Sequence, residues 1–316
     1  MEGLKSGRAE VLLDTGYIAE RLRNITGEER IKLNEPMKNH TSFRVGGPAD
    51  ILVCPESLEQ LTETVRECRR NNVPFYIEGN GTNLLVTDKG IRGVVIKTCG
   101  SLCDVKVEGD TILAECGALL SKVAKTALEH GLAGLEFASG IPGTLGGAVC
   151  MNAGAYGREI KDVVVRTEYL DGDNEIKVMT GEQHEFAYRS SRIQKEGGIV
   201  LRTVMKLDRG EYGAIKELMD DLNRRRKEKQ PLELPSAGSV FRRPEGHYAG
   251  KLIEDCGLKG FSIGGAQVSE KHCGFIVNRG NASAADIIKL INHIKDCVRS
   301  KYGVSLETEI KILGEE

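Results

Sequence analysis

The chain has 316 residues, of which 40% are hydrophobic and 28% charged, and its formal net charge is −2. These values are typical of a soluble globular protein of two or three domains, and they argue against a general polyanion binder. No apolar run approaches the roughly 18 to 20 residues that cross a bilayer, and the charged N-terminus lacks a signal-peptide core, so we expect a cytoplasmic protein. The nine cysteines are scattered and include no C-x-x-C pair, which favours buried reduced thiols over a metal site.

Short apolar strands alternate with amphipathic helices from about residue 50, after a polar lead-in. Ser57 can cap a first helix, and Gly131 can adopt the left-handed conformation that ends a later one. The first helix has its apolar face at Leu58, Leu61, Val65 and Cys68. The segment 171–174 is the predicted tip of a hairpin. Strands are predicted at 51–53, 75–77, 94–96, 104–108 and 111–115.

Two longer helices are predicted in the last third of the chain. The first ends in the basic run 224–229, and its apolar face consists of Ile215, Leu218, Met219 and Leu222. The second opens with a capping box at Ser283 and Asp286 and buries Ile287, Leu290, Ile291, Ile294 and Val298. A final strand over 304–312 alternates, with Glu307 and Glu309 on its polar face. The order of elements predicts an α+β fold with several sheets.

Two glycine-rich turns, at 79–83 and 140–147, are candidate phosphate sites because no Cβ blocks the approach of their backbone N–H groups. Neither is a P-loop, since no Gly-Lys-Ser/Thr follows, and Gly79-x-Gly81-x-x-Leu84 lacks the third glycine of a Rossmann fingerprint. Each turn alone is most simply a loop. Both turns together, with Asn80, Asn83 and Asn152 as amide donors, predict a dinucleotide or flavin binder.

Seven segments resemble the motifs of one enzyme family and occur in that family's order. They are 40–47 (HTSFRVGG), 79–85 (GNGTNLL), 140–147 (GIPGTLGG), 152–157 (NAGAYG), 187–191 (AYRSS), 238–241 (GSVF) and 306–310 (LETEI). On these residues the chain resembles the UDP-N-acetylenolpyruvoylglucosamine reductase (UDP-N-acetylmuramate dehydrogenase) family, in its shorter subtype. The resemblance covers about residues 38 to 313, nearly the whole chain.

The resemblance implies an FAD-binding fold of the vanillyl-alcohol-oxidase type, followed by an α/β substrate-binding domain. We expect FAD-binding subdomain 1 with the N-terminal lead-in at 1–100, FAD-binding subdomain 2 at 101–210 and the substrate-binding domain at 211–316. The cofactor is then FAD. The cofactor-binding residues implied are Tyr76, Gly79, Asn80, Gly81, Thr82, Asn83, Leu84, Ser139, Gly140, Ile141, Pro142, Gly143, Gly146, Gly147, Asn152, Ala153, Gly154 and Gly157.

The family reduces the enolpyruvyl ether of UDP-N-acetylglucosamine with NADPH, in peptidoglycan precursor synthesis. Hydride reaches the β-carbon from the flavin, and the resemblance makes Ser239 the proton donor to the α-carbon. Because negative charge develops as an enolate, the site needs a cation or strong donors held in place beforehand. The resemblance gives the cation role to Arg189, and it makes Glu309 the active-site glutamate, which either polarises the enolate oxygen when protonated or assists proton delivery. The residues expected to contact the substrate are Tyr188, Arg225, Arg243 and His272.

The sequence leaves other hypotheses about the function open. Another FAD oxidoreductase on the same fold, such as an alcohol or hydroxyacid oxidase, is the second enzyme hypothesis. A flavin-binding or UDP-sugar-binding regulator would have lost Ser239 or Glu309, and both are present. With 5% aromatic residues and no tryptophan, the chain has no evident stacking platform for nucleic acid. The partners that the resemblance implies are the UDP-sugar and NADPH, and we expect a monomer with no nucleic acid, membrane or metal partner.

Overall fold

The computed structural model describes residues 14–315; the first 13 residues of the predicted lead-in lie outside this range. The helices are α1 (Thr15–Thr26), α2 (Leu58–Arg70), α3 (Leu120–Glu129), α4 (Leu145–Cys150), α5 (Arg192–Lys195), α6 (Tyr212–Lys229), α7 (Ala249–Asp255) and α8 (Ala284–Tyr302). Within the described range, none of them has the length and apolar character needed to cross a membrane.

The strands belong to several small sheets. Those of the N-terminal third are β1 (Ile31–Pro36), β2 (Pro48–Val53), β3 (Phe75–Glu78), β4 (Leu84–Val86) and β5 (Ile91–Lys97). The middle of the chain forms β6 (Val105–Glu108), β7 (Thr111–Glu115), β8 (Leu132–Ala133), β9 (Gly154–Ala155), β10 (Arg158–Glu159), β11 (Val164–Leu170), β12 (Ile176–Thr180), β13 (Ile199–Lys206) and β14 (Asp208–Arg209). The rest are β15 (Ser262–Ile263), β16 (Ala266–Val268), β17 (Ile276–Asn278) and β18 (Lys311–Leu313).

The first unit is a four-stranded sheet in the order β1-β2-β5-β3, covered by α1 and α2. Strand β1 is antiparallel to β2, whereas β2, β5 and β3 run parallel. The helix α2 connects β2 to β3, and the Ser57 side chain accepts a hydrogen bond from the N–H of Gln60, as the predicted cap requires. Its apolar face, including Leu61 and Val65, packs into the main core. The loop between β3 and β4 is the first glycine-rich turn.

The second unit is an antiparallel five-stranded sheet in the order β12-β11-β13-β7-β6. The predicted hairpin tip at 171–174 lies between β11 and β12. Gly131 follows α3 with a φ of 63°, which confirms its left-handed role at the helix end. The short helix α4 packs against β13, and the second glycine-rich turn leads into it.

The helix α6 belongs by its packing to the second unit. Ile215, Met219 and Leu222 are buried in the same core as the first two sheets, and the helix contacts α3 and β8. Leu218, which we placed on the same apolar face, is exposed, because it lies on the side of the helix turned away from that core. The boundary at residue 210 stays a prediction, but this packing favours a boundary near residue 230.

The third unit combines α7 and α8 with the three-stranded sheet β15-β16-β17 around a separate core. Both halves of the predicted capping box at Ser283 and Asp286 are present at the start of α8. The predicted apolar face of α8 is buried throughout, which confirms it.

The predicted strand over 304–312 is wrong in extent. Within this segment only Lys311–Leu313 (β18) form a strand, and Thr308 makes a single isolated bridge to Phe241. The sequence pattern could not show that β18 pairs in parallel with β4 of the first unit. The segment before β18 therefore spans from the third unit back to the first, and Ile312 is exposed instead of buried.

Candidate active site

Two cavities lie where the three units meet. The first, of about 580 Å³, is lined by both glycine-rich turns, and the second, of about 790 Å³, extends towards α6 and the third unit. Both volumes fall in the usual range for small-molecule sites. Arg189 and Glu309 line both cavities, as do Thr82, Asn83 and Ala153. The two cavities are therefore continuous past these side chains.

The two glycine-rich turns pack directly against each other. The Asn80 side-chain amide donates to the carbonyl oxygen of Pro142 over 2.7 Å. A Cβ on Gly79 would collide with the Thr144 hydroxyl, and one on Gly81, at a φ of 61°, would collide with the carbonyl oxygen of His40. Only glycine permits this approach, which brings two stretches of bare backbone to one cavity wall. That wall suits the diphosphate of a dinucleotide cofactor.

Most of the predicted cofactor-binding residues reach this cavity. It is lined by Tyr76, Gly79, Asn80, Gly81, Thr82, Asn83, Leu84, Ile141, Gly143, Gly146, Gly147 and Ala153. Pro142 and Gly154 line the second cavity instead. Asn152 is fully buried and Gly157 is exposed at the surface. Four predicted residues therefore line neither cavity: Ser139, Gly140, Asn152 and Gly157.

Glu78, at the end of β3, is a buried carboxyl that our sequence reasoning missed. Glu78 is 2% exposed, and neither of its carboxyl oxygens has a hydrogen-bond partner among the described residues. Lys97 is its neighbour on β5, but the Lys97 ammonium contacts the Nδ1 of His40 over 2.9 Å. Burial therefore raises the pKa of Glu78 to about 7, with Lys97 opposing the shift. The only sequence clue is a glutamate at the end of an otherwise apolar strand.

Arg189 and Glu309 form an ion pair at the junction of the cavities. The Arg189 Nε donates to Glu309 Oε1 over 2.8 Å, and its Nη2 lies 3.5 Å from the carbonyl oxygen of Gly154. The guanidinium also lies over the Tyr188 ring, 5.2 Å from its centroid. Because the pair uses Nε and one carboxylate oxygen, the Nη1 group is left to bind a ligand anion.

The structure distinguishes Glu309 from Glu307. The Glu309 side chain is 12% exposed, whereas that of Glu307 is 77% exposed and only 3.8 Å from Arg242 at the surface. Backbone bonds fix Glu309 on both sides: its N–H donates to the carbonyl oxygen of Val240 over 2.7 Å, and its own carbonyl accepts from the Asn83 amide over 3.2 Å. Ser239, which precedes Val240, is thereby brought to the second cavity with Arg189 and Glu309.

The Ser239 hydroxyl donates to the carbonyl oxygen of Phe241 over 3.2 Å. Gly274 lies beside it: a Cβ there would be in van der Waals contact with the hydroxyl at 3.4 Å but would come within 2.9 Å of the His272 ring, which would have to shift. His272 also lines the cavity, and its Nδ1 accepts the N–H of Gly274 over 3.0 Å. Burial lowers the pKa of His272. A neutral ring with Nδ1 as acceptor leaves Nε2–H as a donor.

Several residues of the second cavity have left-handed backbone. Arg44, Tyr156 and Arg189, with φ values of 55°, 56° and 52°, all line it, although none is glycine. Asn152, with a φ of 44°, lies directly behind the turn that carries Arg189. Such conformations cost about 1 to 3 kcal/mol each and persist where the surroundings enforce them, often at functional sites.

Helix α6 contributes cations to the second cavity, at Arg225, Arg226 and Lys229. Arg225, our predicted contact, is already paired with Asp221 over 2.6 Å. Arg226 has no ion-pair partner in the described part of the chain, and burial lowers its pKa. A half-buried guanidinium without a partner is the better candidate for binding an anion.

Tyr188 and Arg243 line neither cavity, although both were predicted to contact substrate. Instead they form a contact between units: the backbone N–H of Arg243 lies 3.4 Å from the Tyr188 hydroxyl. The Arg243 guanidinium stacks over the Tyr248 ring at 4.1 Å. Both side chains are thus engaged at the rim of the site.

Two family models match the chain. Residues 49–180 match an FAD binding domain, and residues 230–313 match the C-terminal domain of UDP-N-acetylenolpyruvoylglucosamine reductase. The reductase of Caldanaerobacter subterraneus subsp. tengcongensis is 56% identical over 308 residues, covering 98% of this chain and 100% of the relative. That of Clostridium botulinum is 55% identical over 296 residues, covering 94% and 96%. The chain belongs to the UDP-N-acetylenolpyruvoylglucosamine reductase family.

A solved reductase of this family supports the same assignment. The crystal structure of the enzyme from Thermus caldophilus has a TM-score of 0.78 and 36% sequence identity, covering 90% of this chain and 99% of that one. The predicted family, the α+β fold with its FAD-binding part, the enzyme class and FAD as cofactor are confirmed. The glycine-rich wall of the first cavity fits this cofactor, because backbone N–H groups can approach its diphosphate without a Cβ in the way.

The predicted function, reduction of the enolpyruvyl group in peptidoglycan precursor synthesis, is confirmed at the level of the family. A different oxidase or a regulator that has lost catalysis is thereby set aside. The roles of single residues and the identity of the electron donor are finer matters, and they depend on the geometry of the site.

Proposed function

We propose that this reductase uses NADPH as its electron donor and that Arg189, Glu309 and Ser239 carry out the reaction on the enolpyruvyl group of UDP-N-acetylglucosamine enolpyruvate. The glycine-rich turns that line the first cavity would hold FAD, which, when bound, would supply the hydride. The observation that carries the proposal is the Arg189–Glu309 ion pair, which lies where the cofactor cavity opens into the second cavity. The cytoplasmic location and the monomeric state expected from the sequence belong to the same proposal.

Arg189 binds the carboxylate of the substrate and stabilises the negative charge that develops on it. An arginine stays charged at all working pH values and offers several donors in a fixed plane. Its Nε is held by Glu309 at 2.8 Å, so the guanidinium is oriented before the substrate arrives. Such pre-arranged donors are often the largest single contribution to catalysis.

Glu309 holds that orientation and lies within the same cavity as the reacting atoms. Its backbone is bonded to Val240 and Asn83, so the residue is held between the segment that carries Ser239 and the glycine-rich turn, and the Arg189 guanidinium holds its carboxylate. Its counterpart Glu307 is solvent-exposed, which supports the choice of Glu309 made from the resemblance.

Ser239 donates the proton to the α-carbon. A hydroxyl is a weak acid, but an enolate is a strong base, so the transfer runs downhill once charge has developed. The hydroxyl must turn from the carbonyl oxygen of Phe241 towards the cavity, which costs one hydrogen bond. The proton is then replaced through water or a neighbour.

Arg226, assisted by Arg225 and Lys229, binds the diphosphate of the UDP-sugar. Three cations of α6 face the cavity, and the least solvated of them lacks an ion-pair partner. The neutral His272 offers an Nε2–H donor to the same ligand. These residues would set the affinity for the UDP part of the substrate, whereas Arg189, Glu309 and Ser239 act on its enolpyruvyl group.

The test separates the two half-reactions in the FAD-loaded protein by the flavin absorbance. In Ser239→Ala, NADPH should still bleach the flavin band at the parent rate. Reoxidation by UDP-N-acetylglucosamine enolpyruvate should slow by about 100-fold or more, because proton donors contribute at least that much. Parent-like reoxidation in Ser239→Ala would remove the serine from its acid role. An unbleached flavin in the parent enzyme would exclude NADPH as the donor.

A further inference from the structure

Asn152 is fully buried and has its hydrogen-bonding groups engaged within the protein. It is 0% exposed and lines neither cavity. Its Nδ2 donates to the carbonyl oxygen of Ala187 over 3.1 Å and to Glu159 Oε2 over 3.0 Å. Its Oδ1 accepts the backbone N–H of Lys161 over 3.1 Å. An amide has two donor hydrogens, and both are used, so none is left for a ligand.

The Ala187 carbonyl belongs to the tight turn that carries Arg189. Ala187 and Ser190 exchange backbone hydrogen bonds of 3.0 and 3.2 Å, and Arg189 lies between them with a φ of 52°. On the far side, the Ser191 hydroxyl donates to the carbonyl oxygen of Cys150 over 2.7 Å. The turn is thus anchored at both ends, and Asn152 provides the anchor on the N-terminal side.

We propose that Asn152 is a positioning residue for Arg189 and not a cofactor ligand. The proposal rests on the proposed function, because it gives Asn152 an effect only through the arginine that binds the substrate's acid. A left-handed residue persists only where its surroundings enforce it, so loss of the anchor on the N-terminal side of the turn lets the guanidinium swing away from Glu309. An error of about 1 Å in such a group can cost on the order of 100-fold in rate.

The test uses Asn152→Gly in the FAD-loaded enzyme. Glycine accepts the left-handed backbone at position 152, so this variant removes the side chain without adding backbone strain. Flavin content and the rate of flavin reduction by NADPH should stay within about twofold of the parent, whereas reoxidation by UDP-N-acetylglucosamine enolpyruvate should slow roughly 10- to 100-fold. Asn72→Gly is the matched control, because Asn72 is exposed after α2 with a φ of 52°. It should behave as the parent does.

Asn152→Ala provides a second variant if Asn152→Gly folds poorly. It keeps the Cβ in the buried space but cannot donate to Ala187, and we expect the same selective slowing. Loss of flavin, or equal slowing of both half-reactions, would show a cofactor-binding or general structural role and would overturn the proposal. Parent-like reoxidation in both variants would overturn it too.

A double-mutant cycle decides whether the effect passes through Arg189. In an Arg189→Lys background, Asn152→Gly should slow reoxidation by less than about threefold, because the geometry it protects is already lost. A full effect in that background would refute the proposal. The parent enzyme distinguishes failure of the proposed function from failure of the Asn152 proposal alone. If the enolpyruvyl sugar does not reoxidise the parent's flavin, the proposed function fails, and the Asn152 proposal fails with it.

Discussion

Replacing Glu78 with glutamine should stabilise the protein at alkaline pH and leave its stability nearly unchanged at acid pH. The Glu78 carboxyl is buried, has no hydrogen-bond partner among the described residues and faces Lys97 without an ion pair. The other titratable groups around it are Tyr76 on its own strand and the thiols of Cys54 and Cys99. None of them supplies a positive charge that would stabilise the ionised form.

The size of the effect follows from the pKa of Glu78, which burial raises from 4.5 to about 7. Since the folded protein keeps this proton more tightly than the unfolded chain, the associated stability is complete below about pH 4.5. It is lost as the pH rises from there through about 7, because the unfolded chain ionises first. At about 1.4 kcal/mol per pH unit, the loss amounts to about 3 kcal/mol. Glutamine has the same shape and no charge, so Glu78→Gln removes this loss.

Thermal unfolding of the FAD-loaded protein with excess FAD, from pH 5 to 8.5, measures the effect. The Tm difference between Glu78→Gln and the parent should be small at pH 5 and grow to about 5 °C above pH 7. Glu67→Gln is the matched control: Glu67 is equally buried, but Arg21 holds its carboxylate at 2.7 Å and lowers its pKa. That variant should be destabilised at neutral pH. A Tm difference for Glu78→Gln that does not change with pH would refute the reasoning.

Three further predictions concern the cavities. Arg226→Ala should raise KM for the UDP-sugar about tenfold in steady-state assays, whereas Arg225→Ala, whose guanidinium is exposed and already ion-paired, should change it less than about threefold. Glu309→Gln removes the charged partner that orients Arg189, so it should slow reoxidation of the flavin by the enolpyruvyl sugar by about 100-fold in stopped-flow assays, and Glu307→Gln should leave it unchanged. Gly81→Ala should be purified with little flavin by absorbance, because its Cβ would collide with a backbone carbonyl at a left-handed position.

Local features of the fold were predictable because their causes are local. The caps at Ser57 and Ser283 depend on residues within three positions along the chain, and the structure has both. The final strand was mispredicted because alternation of apolar residues cannot identify a partner strand. Its partner β4 is more than 200 residues away, and the pairing uses only Lys311–Leu313.

The site was predictable in its motifs but not in the direction of each side chain. The resemblance singled out Arg189, Ser239 and Glu309, and all three line one cavity. It could not tell Arg225 from Arg226, because a rotation of 100° about a helix decides which of the two cavity-lining arginines is half-buried and which one pairs with Asp221. Asn152 was assigned to the cofactor because it lies in a glycine-rich motif, yet its amide faces the protein.

Glu309 connects three parts of the chain that are distant in sequence. Its N–H bonds to the segment of Ser239, its carbonyl oxygen to the glycine-rich turn at Asn83 and its carboxylate to the turn of Arg189. The pairing of β18 with β4 holds Glu309 at this point. Arg189, the segment of Ser239 and the glycine-rich turn are therefore all positioned by bonds to the same residue. A shift of any one of them strains the bonds of the other two. The ion pair is therefore the part of the site most sensitive to how the three units pack together.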